Sequence, residues 1–119
     1  MNIFNGPLNV LENALDIRAE RQTTLAANAA NIDTPGYVAQ DVDFDASLAL
    51  AMDSGDDDSH DSLVRVAAPG LSGSGPGSTV DLDRTMAALA ENALAYGANA
   101  RVASKHLALL RTVVNDGVG

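Results

Sequence analysis

Between Val80 and Asn115 the apolar residues fall at Leu82, Met86, Leu89, Ala93, Tyr96, Ala100, Ala103, Leu107, Leu110 and Val114. The spacings alternate four and three without a miss, which predicts one long helix with a heptad seam. Asp81 stands where an N-cap is needed, Asp83 puts negative charge in the first turn, and Arg111 suits the C-terminal end of the helix dipole. Gly117 is the expected stop. A second apolar stripe runs beside the seam through Ala87, Ala90, Leu94, Val102, Leu109 and Val113. One partner helix covers one stripe, so the second stripe either covers the side of an intrachain hairpin or, the reading favoured here, meets neighbours from other chains.

A shorter amphipathic helix is expected from Leu8 to about Asn31. One stripe contains Leu8, Leu11, Leu15, Leu25, Ala29 and Ile32, passing through Arg18 and Gln22; a weaker one contains Val10, Ala14 and Ile17. Pro7 fits the first helical turn. Thr34, preceding Pro35, is driven out of the helical region, and Pro35-Gly36 fits the centre of a type II turn.

Between the helices the pattern changes. Val38, Gln40, Val42 and Phe44 alternate with Ala39, Asp41, Asp43 and Asp45, an extended pattern. Ala46 to Met52 predicts two helical turns capped by Asp45, and Leu63 to Val66 a brief strand. Eight of the sixteen acidic residues lie between Tyr37 and Ser78 against one cation, Arg65, with Gly and Ser clusters. That composition predicts a loosely ordered loop. The segments are thus 1–36, 37–79 and 80–119. The fold class is mainly α: an antiparallel, coiled-coil-like hairpin of the N- and C-terminal helices with an extended, acidic segment between them.

Composition narrows what such a hairpin does. Only 3% of the 119 residues are aromatic, with no Trp, so a thick globular core is poorly supplied and close helix packing is favoured. The absence of Cys excludes disulfides and thiolate chemistry. A formal charge of -9 opposes binding to nucleic acid or anionic lipid. No apolar run reaches the length that spans a bilayer, and Met1 to Pro7 lacks the basic and apolar regions of a cleaved signal, so no membrane insertion is expected.

Candidate chemistry is thin. Asp53, Asp56, Asp57, Asp58, His60 and Asp61 suggest a calcium or magnesium site, but a calcium loop begun at Asp56 has Asp61 where glycine is required and Ala67 where the bidentate glutamate belongs. Ser104, Lys105 and His106 are consecutive on a helix and point in different directions, so they make no nucleophile–base pair. No catalytic residue, cofactor or metal site is expected.

The junction after the first helix is the most specific stretch. Leu25-Ala26-Ala27-Asn28-Ala29-Ala30-Asn31-Ile32-Asp33-Thr34-Pro35-Gly36-Tyr37 resembles the N-terminal signature of the flagellar rod, hook and hook-associated axial protein family, roughly A-N-N-I-A-N-x-x-T-P-G-Y. Its motif residues here are Asn28, Asn31, Thr34, Pro35, Gly36 and Tyr37. Arg18 to Gln22, Asp41 to Phe44 and the opening Val80-Asp81-Leu82-Asp83 are similar to stretches of proximal-rod subunits, and the short chain fits that class. The sequence departs from the pattern at Ala29, where isoleucine is usual, and at Thr85, where an acid is common.

The resemblance implies a structural rod subunit whose terminal helices pack against copies of itself. It implies export by the flagellar type III apparatus without signal cleavage, a place in the basal-body rod in the periplasmic space, and the neighbours FlgC, FlgF and the adaptor FliE. A FlgC-type subunit is the alternative within the family. A helical-hairpin adaptor binding a partner helix in the cytoplasm is the alternative outside it. The expected packing interface is Leu11, Leu15 and Leu25 on the first helix with the Leu82-to-Val114 seam on the last.

Overall fold

The computed structural model describes residues 6–54, 62–73 and 80–118. Helix α1 spans Pro7–Ala30 with its proline in the first turn. Strand β1 (Gln40–Val42) leads into α2 (Phe44–Ser54), and β2 (Arg65–Ala67) into a 3-10 turn at Pro69–Leu71. Helix α3 is Leu82–Val118. At 1.5 Å per residue, α1 is about 36 Å long and α3 about 55 Å. The molecule is correspondingly long and thin, 68 × 26 × 17 Å.

Local chemistry explains most boundaries. α1 ends where the Asn31 amide, still bonded to the Ala27 carbonyl, gives way to a turn: the Tyr37 N–H donates to the Thr34 carbonyl at 3.2 Å. Gly36 sits at φ 77°. That is the third position of a type II turn, where a side chain would be strained. α3 begins as expected, with the Asp81 carboxylate accepting the Arg84 N–H at 3.0 Å.

Other boundaries differ from the sequence pattern. The extended stretch is only Gln40–Val42, and Phe44 already belongs to α2. The cap of α2 is Asp43, not Asp45: Asp43 Oδ1 accepts the Ala46 N–H at 3.1 Å, while Asp45 lies in the first turn. Three alternating aspartates that read as one strand face thus have three different local duties. The second strand lies slightly later than expected, at Arg65–Ala67. Gly117 is inside α3, which continues to Val118; its higher helix cost, about 1 kcal/mol, does not end a helix by itself. Of the acidic loop, residues 55–61 and 74–79 lie outside the described residues.

The strands pair antiparallel in the register Gln40↔Ala67, Asp41↔Val66, Val42↔Arg65. Ser47 ties this hairpin to α2, its hydroxyl accepting the Val64 N–H at 2.9 Å. The apolar core is small. Among the described residues it consists of Leu8, Ala14, Ile17, Leu25, Ala39, Val42, Ala51 and Val80. Ala14 and Ile17, from the weaker of the two α1 stripes, are buried, while Leu11 and Leu15 from the stronger are half-buried.

Candidate assembly surface

α1 and α3 run antiparallel, and the face α3 turns to α1 is polar at its centre. Asn92, 1% exposed, donates from Nδ2 to the Arg18 carbonyl at 2.8 Å and to Gln22 Oε1 at 2.7 Å. Thr85, one heptad earlier, is fully buried and donates to the Asp81 carbonyl at 2.7 Å. Asn99 and His106, one and two heptads later, are half-buried on the same row. Arg18 and Gln22 interrupt the α1 stripe where they meet Asn92. Arg18 also lays its guanidinium 4.2 Å over the Phe44 ring. Asn92 Oδ1 and Arg18 Nε are buried without a hydrogen-bond partner among the described residues. The contact therefore fixes a register more than it adds apolar burial.

This rotation decides where the seam lies. Leu82, Met86, Ala93, Tyr96, Leu107 and Val114 are exposed in the single chain, while Leu89, Ala100, Ala103 and Leu110 are half-buried. The seam runs along the flank of the hairpin rather than between its helices. There it lines two open clefts shared with α1. One of about 370 Å³ includes Arg18, Gln22, Ala93 and Tyr96. The other, about 220 Å³, includes Leu8, Leu15, Ala103 and Leu107. Leu25 is fully buried, away from both clefts. The second stripe is barer still: Leu94 is 77% exposed, Leu109 65% and Val113 66%.

The motif residues converge at the other end of α1. Asn28, fully buried, treats β1 as a strand neighbour would. Its Nδ2 donates to the Gln40 carbonyl at 2.7 Å and its Oδ1 accepts the Gln40 N–H at 3.0 Å. The Tyr37 hydroxyl donates to the same Oδ1 at 3.3 Å. Asn31 does what a helix end invites, donating to the Ala27 carbonyl at 2.8 Å and accepting the Thr34 hydroxyl at 3.0 Å. The signature is thus a clamp: Thr34-Pro35-Gly36-Tyr37 reverses the chain and Asn28 binds the returning backbone to the helix.

Arg21 locks the same junction. Its Nε and guanidinium nitrogen donate to the two Asp41 oxygens at 2.8 and 3.0 Å. The hydrogen bond to Asp41 is the main cause that holds the guanidinium above its ordinary pKa. Burial opposes it, and the charges of Asp41 and Glu91 add to it. Both members fall in the Arg18–Gln22 and Asp41–Phe44 stretches, but their pairing has no local signal, because they lie 20 residues apart with a chain reversal between them.

Among the described residues no group of His, Asp and Glu is arranged to hold a metal ion, and no helix is long and apolar enough to cross a membrane. The arrangement offers exposed apolar residues along a long helix.

Comparison with known proteins agrees with this architecture. A family profile described as "Flagella basal body rod protein" matches residues 8–37, the α1 helix and its turn. The flagellar basal body rod protein FlgB of Salmonella typhimurium is 33% identical, over 96% of this chain and 96% of that protein. FlgB of Escherichia coli (strain K12) is 33% identical over the same shares, and FlgB of Bacillus subtilis (strain 168) is 33% identical over 98% of this chain and 99% of its own. The likeness thus runs through both helices and the segment between them, and the chain belongs to the FlgB family of structural flagellar basal body rod proteins.

Proposed function

We propose that this subunit builds the proximal rod by burying the α3 seam and its neighbouring stripe against other subunits, and that the packed helices transmit torque. The observation that carries the reading is the exposure of Leu82, Met86, Tyr96, Leu107 and Val114, apolar residues of the heptad seam that α1 leaves uncovered, with Leu89, Ala100, Ala103 and Leu110 half-buried between them. Scattered apolar residues on a surface need no explanation, but large ones repeated along a single helical seam do. The Asn28 clamp and the Arg21–Asp41 pair hold the returning strand against α1, so that the ridge is presented on a fixed frame.

The neighbours in this reading are further copies of the chain, FlgC, FlgF and the adaptor FliE, reached after export through the flagellar type III apparatus without a cleaved signal. The working place is the rod within the periplasmic space, and the chain performs no catalysis. The small core suits passage in an unfolded state, because few buried side chains must be released.

The test is complementation of a strain lacking its own proximal-rod subunit. The natural chain is expected to restore motility and completed basal bodies. Leu107→Asp, which places a charge in the middle of the ridge, is expected to leave export intact and block rod completion. A motile Leu107→Asp strain overturns the interface.

A further inference from the structure

Asp41 occupies Arg21, but the two ends of the Arg18–Gln22 stretch are not used up by the fold. The Arg18 guanidinium lies 4.2 Å over the Phe44 ring and has no hydrogen-bond or ion-pair partner among the described residues. Glu91, next to Asn92 in α3, adds its charge to Arg21 instead. Gln22 is oriented by Asn92, whose Nδ2 donates to the Arg18 carbonyl, a pure acceptor, and to Gln22 Oε1. The end of Gln22 left unbonded is therefore Nε2, a donor. The exposed Tyr96 adds a hydroxyl without a partner among the described residues. Arg18, Gln22 and Tyr96 line one cleft, with Ala19 and Ala93 among its walls. Asn92 Oδ1, an acceptor without a partner, is buried. The cleft thus presents a cation flanked by an amide N–H and a hydroxyl. The second cleft, further along the same groove between α1 and α3, has the opposite charge. Glu12 stands there among Leu8, Leu15 and Leu107, exposed and without an ion pair among the described residues. Glu12 and Arg18 are six residues, roughly 9 Å, apart along α1.

We propose that the groove between α1 and α3 seats one helix of a different rod subunit, which sets an Asp or Glu carboxylate against Arg18, Gln22 and Tyr96 and a Lys or Arg against Glu12. The inference rests on the rod reading above and names the chemistry of one neighbour. A guanidinium stacked on an aromatic ring is weakly hydrated and gives up water readily, which suits it to an ion pair formed on docking. A carboxylate is chosen over a neutral group because the accessible polar atoms of the cleft centre on a cation. Helical residues return to one face after about seven positions, roughly 10.5 Å, close to the separation of Glu12 and Arg18. The occupant therefore has its acid and its base about seven residues apart, with apolar residues between them for Leu15 and Ala93. Among the described helices of this chain, Arg84 and Glu91 are the pair at that spacing. Arg84 is already engaged with Asp81 and with the Gly70 carbonyl, and Glu91 acts on Arg21. A second copy is thus poorly matched, and the seat is assigned to a different subunit.

The test uses the full chain in a strain lacking its own proximal-rod subunit. A photo-reactive benzoylphenylalanine in place of Ala19, an exposed wall of the Arg18 cleft, is cross-linked in completed basal bodies and the captured peptide is sequenced. The expected peptide is a helix of another rod subunit with an acid and a base about seven residues apart. Arg18→Glu is expected to abolish rod completion, and reversing the captured acid to Lys is expected to restore it. Glu12→Lys is expected to be rescued in the same way by reversing the captured base to Glu. Circular dichroism shows whether Arg18→Glu still folds. If it does not, Arg18→Gln, which keeps a donor and loses the charge, is expected to melt like the natural chain and to swarm severalfold less. A motile Arg18→Glu strain, natural swarming by Arg18→Gln, capture of a second copy of this chain or of a peptide without the charge pair, or no rescue by either reversal overturns the seat. Failure of the natural chain to restore motility overturns the rod reading itself, whereas restored motility without rescue removes only the seat.

Discussion

The two ends of α1 and α3 are held by different means. At the junction following α1, polar groups are buried and almost fully bonded: Asn28 makes two bonds to the Gln40 backbone and accepts a third from Tyr37, and Arg21 grips both oxygens of Asp41. Along the C-terminal half of α3, three cations have no ion pair among the described residues and large aliphatic side chains stand in solvent. The first region is complete within one chain. The second has the composition of an interface and lacks its other side. The same helical scaffold thus separates what must be fixed before assembly from what assembly supplies.

Breaking the first region should show the largest effect on the isolated chain. Asn28→Ala removes both bonds to the Gln40 backbone and the Tyr37 bond from the fully buried position of Asn28, and is expected to cost about 3 kcal/mol, read as a lower melting temperature by circular dichroism. A small change in melting would mean that water replaces the amide. Arg21→Ala removes a paired, largely buried guanidinium and is expected to cost about 2 kcal/mol in the same assay. Because the folded-state pKa of Arg21 is raised, its contribution is fully present below the unfolded value and fades only as pH rises through the folded one. Stability measured from pH 6 to 9 should therefore show no titration of Arg21.

Asn92 stands between the two regimes. Asn92→Leu loses the bonds to Arg18 and Gln22 but also removes the unpartnered Oδ1. Its net effect on melting is expected to stay within about 1 kcal/mol. The sharper readout is register: cross-links placed between α1 and α3 are expected to become less specific in the variant. Last comes Leu107→Asp, expected to shift melting by under about 0.5 kcal/mol because the side chain is already exposed, while abolishing rod completion in cells. A large loss of stability from Leu107→Asp would place the seam inside the hairpin and erase the contrast between the regions.

Much of the architecture is legible from local chemistry. Pro7, the Thr34-Pro35-Gly36-Tyr37 turn and Asp81 mark helix ends because each acts on backbone groups within a few residues. The heptad spacing of α3 is visible because a helix repeats its face every few residues, whatever lies opposite. The start of α2 is not legible in the same way, because alternation at Val38 to Asp45 satisfies a strand and nothing local tells that Asp41 serves Arg21 while Asp43 caps a helix.

The phase of α3 is the deeper limit. Periodicity determined that α3 has an apolar seam, and the motif after α1 determined the family to which the chain belongs. Neither determines which face α1 takes. Only the tertiary structure decided that Asn92 turns toward α1, with Thr85 buried and Asn99 and His106 half-buried on the same row, and that the seam stays on the flank. The physical reason is that hydrogen bonds such as Asn92 to Arg18 and Gln22 join residues some 70 positions apart, and their geometry exists only once the two helices lie side by side.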